Sequence, residues 1–107
     1  MKLPAIITEL VNAQNSQDSS AYADCFTSDA IVFDEGHDHH GKEEIKAWIE
    51  SANAKYQTVM DPIDYSESDG KAVLTAKISG TFPGSPIVLK YNMEIVQGLI
   101  SSLKITG

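Results

Sequence analysis

The sequence predicts an α+β domain in which three N-terminal helices pack on the concave face of a cone-shaped, curved antiparallel sheet. The chain has 107 residues, the size of one domain, and 42% of them are hydrophobic, which is enough for a core. Apolar residues recur every three or four positions in the first half and every second position from Tyr56 onward. Helices followed by strands are typical of α+β domains, so residues 1–107 are taken as a single domain.

Two helices are predicted first. Helix one begins near Pro4, which is tolerated in a first turn. Its apolar stripe consists of Leu3, Ile6, Ile7, Leu10 and Val11. The stretch QNSQDSS ends it, and Asp18 or Ser19 caps a short second helix. The buried stripe of that helix consists of Tyr22, Cys25 and Phe26, where Cys25 is interpreted as a small core side chain rather than a reactive thiol.

A strand and a third helix follow. DAIVFDE is rich in β-branched and aromatic residues and predicts a strand. The segment GHDHH is predicted to be a polar loop, with His40 or Gly41 as the cap of the next helix. In GKEEIKAWIESANAK, Glu43 and Glu44 occupy a first turn, where the helix dipole favours negative charge. The apolar stripe of this helix consists of Ile45, Trp48, Ile49 and Ala52.

The remaining chain predicts a meander of long strands. YQTVMDPIDYS contains Pro62 and should be an edge strand or bulged there, and SDGK then turns the chain. The inward rows of the next three strands are Ala72, Leu74, Ala76 and Ile78, then Ile87, Leu89, Tyr91, Met93 and Ile95, then Leu99, Leu103 and Ile105. The loop GTFPGSP and a tight turn at VQG join these strands. A twisted sheet of this kind curls, and its mouth is a common place for a small-molecule pocket.

Composition excludes several classes of function. The net charge is −7 and the chain has no Arg, which argues against a nucleic-acid partner or an anionic membrane surface. The single Cys25 excludes an internal disulfide. The N-terminal MKLPAIITELV is neither a signal peptide nor a spanning helix, so we expect a cytoplasmic protein. The sequence has no Gly-rich phosphate loop or nucleophile elbow, so no cofactor is predicted.

Three stretches carry a resemblance to a known family. FTSDAIVFD, GKEEIKAW and the meander ISGTFPGSPIVLKYNMEIVQGLISSLKI resemble the nuclear transport factor 2-like superfamily, in particular its SnoaL-like (polyketide-cyclase-like) and ketosteroid-isomerase-like branches. The resemblance covers nearly the whole chain and implies a cystatin-like fold. Isomerases, cyclases, epoxide hydrolases, dehydratases and non-enzymes share this scaffold, so the fold alone does not set the activity.

Asp34 is the first candidate for catalysis. It ends a row formed by Ala30 and Val32, so its carboxylate should be partly desolvated and its pKa raised, as suits a general base. The resemblance implies the same residue, because steroid isomerases carry there the Asp that abstracts a proton next to a carbonyl. It also places the family's oxyanion-donating Tyr at Leu10 and its neutral acid near Tyr91, which could still donate. The alternative is a strand-end carboxylate bonded to loop N–H groups.

All three histidines lie in the segment DEGHDHHG. In an extended segment, His37 and His39 share one side, while Asp38 and His40 take the other. His37 or His39 would then shuttle protons with Asp34. Two or three ligands from one segment make a weak zinc site, so no metal is predicted. The alternative, a solvated loop, is the interpretation we favour for His40.

Two functional hypotheses follow. One is an enzyme, an isomerase or cyclase, that acts on a small apolar carbonyl compound, with Asp34, His37, His39 and Tyr91 as catalytic residues and Tyr56 as a second candidate donor. The predicted pocket lining consists of Tyr22, Phe26, Phe33, Trp48, Tyr56, Met60, Phe82 and Met93. The other is a non-catalytic ligand-binding or dimerisation domain. The enzyme requires that Asp34 face an open cavity of roughly 300 Å³ or more, and a filled interior or an Asp34 bonded away from the cavity would exclude it. A homodimer is expected through the outer face of strands 71–81 and 86–97.

Overall fold

Three helices form where the apolar stripes predict them. The computed structural model describes residues 2–107, with α1 at Ala5–Asn15, α2 at Ser19–Asp24 and α3 at Gly41–Tyr56. Pro4 precedes α1, and the Asp18 carboxylate caps α2 by accepting from the Ala21 N–H at 3.0 Å. At the start of α3 the Glu44 carboxylate accepts from the His40 N–H at 2.8 Å. The three predicted helices are therefore confirmed.

Six strands form one curved sheet that does not close on itself. They are β1 at Phe26–Asp34, β2 at His37–His40, β3 at Val59–Ser68, β4 at Lys71–Ser79, β5 at Ile87–Val96 and β6 at Leu99–Thr106. Their order across the sheet is β2-β1-β6-β5-β4-β3. The pairs are antiparallel as predicted, except that β1 and β6 run parallel. That parallel pair joins the N-terminal hairpin to the C-terminal meander.

The polar segment after β1 is a strand and not the predicted loop. Glu35 and Gly36 form a two-residue turn with φ values of 52° and 78°, the positive φ pair that tight hairpins require. This turn folds residues 37–40 back onto the free edge of β1, where His37 pairs with Asp34 and His39 with Val32. The difference arises because strand pairing uses backbone N–H and C=O groups, which a polar segment can supply as well as an apolar one.

Bulges account for the remaining differences in register. At Pro62 the β3–β4 ladder shifts by one residue, so the edge strand is also bulged, and Ile63 is 50% exposed. A second shift lies between β5 and β6 beside Ile95. It reverses the alternation predicted for the start of β6, so that Ile100 is buried and Leu99 is only partly covered. The predicted inward row was therefore wrong at Leu99.

The core lies between the helices and the inner face of the sheet. The predicted inward row of β4 is confirmed, since its four apolar side chains are at most 3% exposed. The largest fully buried side chains are Tyr22, Phe26, Ile7, Leu10, Ile45, Met60, Leu74, Ile100, Leu103 and Val32. Cys25 is also buried, and burial raises its pKa to about 11, which keeps the thiol protonated and unreactive near neutral pH.

The outer face of the sheet carries a mixed surface. Val88 is 51% exposed on β5 between neighbours on the same face that include Lys77 and Lys90. The dimer expected through this face stays a prediction. Within residues 2–107, none of the helices combines the length and apolarity that a membrane crossing requires.

Candidate active site

A cavity of about 260 Å³ opens between the inner face of the sheet and the helices α1 and α3. Its walls are mostly apolar, with a few polar side chains among them. The lining residues are Gln14, Asp34, Glu35, Trp48, Ile49, Ala52, Tyr56, Thr58, Ile78, Phe82, Pro83, Ile87, Leu89, Tyr91 and Ile105. An apolar cavity with a few convergent polar groups is the usual form of a small-molecule site.

Asp34 lies at the cavity wall, at the last position of β1. Its carboxylate is half-buried and accepts one side-chain hydrogen bond, from the indole N–H of Trp48 at 3.3 Å. Burial raises the pKa of Asp34 above its ordinary value, and the negative charge of Glu35 raises it further. The hydrogen bond from Trp48 and the nearby His39 act in the opposite direction. The carboxylate is thus more basic than an exposed aspartate.

Tyr91 faces the same cavity from β5. It is 3% exposed, and burial raises the pKa of its hydroxyl well above 10, so the group keeps its proton throughout the neutral range. The neighbouring Gln14 amide lowers this pKa, and the charge of Asp34 raises it. The cavity therefore holds a carboxylate that can accept a proton and a hydroxyl that can donate a hydrogen bond.

The histidines divide between the two faces of the sheet. His37 and His39 lie on the same side as Asp34, and Asp38 and His40 lie on the outer side, where the two approach at 3.9 Å. The His39 ring stacks on Trp48 with centroids 5.5 Å apart, so it backs the indole that holds Asp34. His37 is exposed and outside the cavity lining.

No metal centre is assembled by these groups. Across residues 2–107, no three side chains of His, Cys, Asp or Glu come together in a way that would hold an ion. Because the two faces of β2 separate neighbouring ligands, the density of histidines in the sequence does not become a density in space.

The predicted pocket residues also separate into groups. Trp48, Tyr56 and Phe82 line the cavity, the last two as an edge-to-face pair with centroids 5.9 Å apart. Four predicted lining residues lie instead in the packed core outside the lining set: Tyr22, Phe26, Met60 and Met93. Phe33 lies on the outer face, 38% exposed, beneath the ammonium of Lys104. Successive side chains of a strand point to alternate faces, so Phe33 lies on the other face of β1 from Val32 and Asp34.

Glu35 follows Asp34 in the chain, so strand alternation alone would put it on the outer face of the sheet. The strand alternation that would carry it to the outer face ends at Asp34, where the tight turn begins. Glu35 therefore lines the cavity entrance beside Asp34. The carboxylates of Asp34 and Glu35 therefore both line this cavity, and none of the lining residues is basic.

A chain of hydrogen-bonded polar side chains in the cavity wall was not predicted from sequence. Gln14 and Asn53 are each 4% exposed, and Thr58 lies between them. The Gln14 Nε2 donates to Thr58 Oγ1 at 3.2 Å, and Thr58 Oγ1 donates to Asn53 Oδ1 at 3.1 Å. A signal was available, since Gln14 continues the buried stripe of α1 and Asn53 that of α3, each four positions after an apolar residue.

Comparison with known proteins points to one family. The model of the SnoaL-like domain matches residues 7–97. A crystal structure of a candidate polyketide cyclase from Sinorhizobium meliloti superposes with a TM-score of 0.93 and is 36% identical, over 97% of this chain and 95% of that one. No curated protein matches the sequence.

More distant structures show the same fold. A Catenulispora acidiphila protein with a ketosteroid isomerase-like fold, crystallised with trimethylamine, gives a TM-score of 0.89 at 18% identity, over 99% of this chain and 87% of that one. A cystatin-fold protein from Novosphingobium aromaticivorans gives 0.80 at 19% identity, over 95% of each chain. At these identities the likeness extends to architecture alone.

Proposed function

The chain belongs to the SnoaL-like domain family, and we propose that it binds a small, mostly apolar carbonyl compound and transfers a proton on it, in an isomerisation or an aldol-type cyclisation. The observation that carries the proposal is the position of Asp34: a half-buried carboxylate of raised pKa on the wall of a mostly apolar cavity. A raised pKa brings a carboxylate closer to the basicity that proton abstraction near neutral pH requires.

Each cavity group has a role in such a reaction. Asp34 removes a proton from the carbon next to the carbonyl, and the electron pair moves onto the carbonyl oxygen to give an enolate. Tyr91, which keeps its proton at neutral pH, donates a hydrogen bond to that oxygen. In a β,γ-unsaturated substrate the resulting dienolate takes the proton back from Asp34 at the γ carbon. In a cyclisation the enolate carbon instead attacks a second carbonyl within the substrate, and the alkoxide formed by ring closure takes the proton from Asp34.

The surrounding side chains set the basicity of Asp34. Trp48 donates to one carboxylate oxygen, and the His39 ring stacks on that indole. His39 lies on the side of the sheet that faces Asp34, so it is the histidine best placed to exchange protons with bulk water. His37 is more exposed than His39, so we assign it no role beyond contact with a ligand that enters the cavity.

Cavity size and charge restrict the substrate. At about 260 Å³ the cavity falls short of the volume of roughly 300 Å³ expected above for an enzyme, which is also the lower end of the usual range for drug-sized ligands. The small volume favours a compact compound over a fused polycyclic one. Two acidic and no basic side chains line it, so an anionic substrate would meet repulsion with no counter-ion.

Non-catalytic ligand binding is the second candidate, and the apolar side chain at Leu10 favours it in addition to the small cavity volume. Leu10, at the position where the family resemblance places a second oxyanion donor, is apolar and 0% exposed. Tyr91 would therefore act alone, and a single donor gives less stabilisation to an enolate than two.

The two candidates differ in a direct test. Small methyl ketones such as acetophenone would be incubated with the protein in deuterated water, and exchange of the protons next to the carbonyl followed by NMR. We expect catalysed exchange with the wild type and its loss in Asp34→Asn. Asp38→Asn is the matched control, because it removes a carboxylate on the outer side of the neighbouring strand. Exchange that survives in Asp34→Asn, or that the wild type never shows, would rule out the proposed base.

A further inference from the structure

Gln14 presents an unpaired hydrogen-bond acceptor in the cavity wall. The side chain is 4% exposed and belongs to the cavity lining, yet its Oε1 has no hydrogen-bond partner. A buried carbonyl oxygen without a partner has lost its hydrogen bonds to water and gained none in return, so such groups are rare unless a ligand or water satisfies them.

The hydrogen bonds that join Gln14, Thr58 and Asn53 determine which end of the Gln14 amide is free. A threonine hydroxyl has a single hydrogen, and that of Thr58 is donated to Asn53 Oδ1. Thr58 can therefore only accept from Gln14, which commits the Nε2 donor to this contact. The carbonyl oxygen is left over, so the free group is an acceptor and requires a donor.

The neighbours of Gln14 do not supply that donor. Thr58 donates to Asn53, and the Asn53 Nδ2, although unpaired itself, makes no hydrogen bond to the Gln14 oxygen. The Gln14 amide acts on Tyr91 as a donor, since it lowers the pKa of that hydroxyl, and its oxygen stays without a partner. The remaining nearby walls are formed by apolar side chains such as Ile78 and Leu89. The donor that the Gln14 oxygen requires can therefore come from a ligand in the cavity.

We infer that Gln14 is a specificity-determining residue that accepts a hydrogen bond from a hydroxyl or N–H group of the ligand. The inference rests on the proposed function in taking the same cavity as the ligand site, and it narrows the substrate to a small carbonyl compound that also carries a hydrogen-bond donor. Tyr91 recognises the carbonyl and Gln14 the donor, so the two groups together orient the compound with respect to Asp34.

Matched probes test this without any need for turnover. 4′-Hydroxyacetophenone, 4′-methoxyacetophenone and acetophenone share a ring and a carbonyl, and only the first has a donor. We expect the hydroxyl compound to bind about tenfold more tightly than its methyl ether, as measured by calorimetry, because only the hydroxyl satisfies the buried oxygen. Acetophenone separates this effect from the size of the methoxy group.

Three variants assign the preference to Gln14. Gln14→Met keeps the length of the side chain and removes the amide, so the hydroxyl and methoxy compounds should bind almost equally. Thr58→Val leaves Gln14 in place but removes the contact that orients it, and should weaken the preference. Leu89→Met is the control, because it changes an apolar part of the same cavity and should retain the preference.

The outcomes separate this inference from the proposed function. Equal binding of the probes to wild type, binding of none of them, or a preference that survives in Gln14→Met would overturn the inference. Proton exchange at the acetyl group is followed in the same samples. Exchange without a hydroxyl preference refutes the role of Gln14 alone, and a preference without exchange refutes the catalytic proposal while the role of Gln14 stands.

Discussion

Trp48 donates its indole N–H to a carboxylate oxygen of Asp34 at 3.3 Å, which ties the middle of α3 to the end of β1. The contact stabilises the ionised carboxylate, while burial in the cavity wall favours its protonated form. The basicity of Asp34 is therefore a balance in which burial dominates and the indole opposes it.

Removing the indole donor should shift this balance. In Trp48→Phe an aromatic ring is kept for contact with His39 and Tyr22, but the N–H is lost. We expect the pKa of Asp34 to rise further, because the lost hydrogen bond favoured the charged form. Carbon-13 NMR titration of the Asp34 carboxyl group measures the change directly.

Tyr56→Phe is the matched control for that substitution. It removes a polar hydrogen from another aromatic side chain of the same cavity, one that makes no hydrogen bond to Asp34. The pKa of Asp34 should stay near its wild-type value in this variant. A pKa that falls or stays constant in Trp48→Phe would contradict the assignment of the indole as the stabilising donor.

The raised pKa of Asp34 also predicts how stability depends on pH. The folded state holds this proton at pH values where the unfolded chain, with an ordinary value of 3.8, has already lost it. The contribution of Asp34 to stability is therefore greatest below that ordinary value and falls as pH rises through the folded-state pKa. Asp34→Asn should be more stable than wild type at pH 7, because a neutral amide avoids the cost of holding a charge in the cavity wall.

Urea denaturation at several pH values tests this. The difference between Asp34→Asn and wild type should shrink towards zero near pH ~3, where both side chains are neutral. Asp64→Asn is the control, because it makes the same change in net charge on an exposed strand. A wild type that is more stable than Asp34→Asn at pH 7 would show that the carboxylate is structurally required there.

Sequence patterns were sufficient for the fold and for the position of Asp34. Period-two alternation in β4 and β5 determines which side chains face the helices, and the last residue of the β1 row follows from the same count. The pattern failed where the backbone departs from regular geometry. The turn at Glu35 and the bulge beside Ile95 each reverse an alternation, and neither turn geometry nor a bulge is encoded by polarity.

The buried polar chain illustrates a different limit. Gln14 and Asn53 belong to different helices, α1 and α3, and only tertiary packing brings them both to Thr58. Sequence shows that each is a polar residue on an apolar stripe. It does not show that the two side chains share one hydroxyl, and that sharing is what leaves the Gln14 oxygen free.

The charge of the cavity predicts discrimination against acids. Glu35 and Asp34 lie at its wall, and no lining residue is basic. Benzamide and benzoate have nearly the same shape and differ in charge. We expect benzamide to bind at least about tenfold more tightly at pH 7, because a buried carboxylate would approach two others without a counter-ion.

Two comparisons check that this preference is electrostatic. Glu35→Gln should narrow the difference between benzamide and benzoate, whereas Glu94→Gln on an exposed position of β5 should not. High salt should narrow it only slightly, since charges in a partly closed cavity are weakly screened. If benzoate bound more tightly than benzamide, a cationic group would have to lie within reach of the ligand. That result would contradict the prediction that the cavity repels anions.

Gly80 connects the stability of the fold to the shape of the cavity. A Cβ atom at this position would lie 2.6 Å from the backbone oxygen of Tyr56 and 2.9 Å from Cε1 of Phe82, both of which belong to cavity-lining residues. The Tyr56 oxygen cannot retreat freely, because it accepts a hydrogen bond from the Thr81 N–H at 2.7 Å. Gly80→Ala should therefore cost about 1–3 kcal/mol of stability and weaken the binding of 4′-hydroxyacetophenone, as measured by urea denaturation and calorimetry.

Gly107→Ala introduces the same methyl group where no atom lies within 4 Å, so it should change neither quantity. If both variants unfold at the same urea concentration, the wall formed by Tyr56 and Phe82 yields to an added methyl group, and the cavity is more adaptable than its packing indicates.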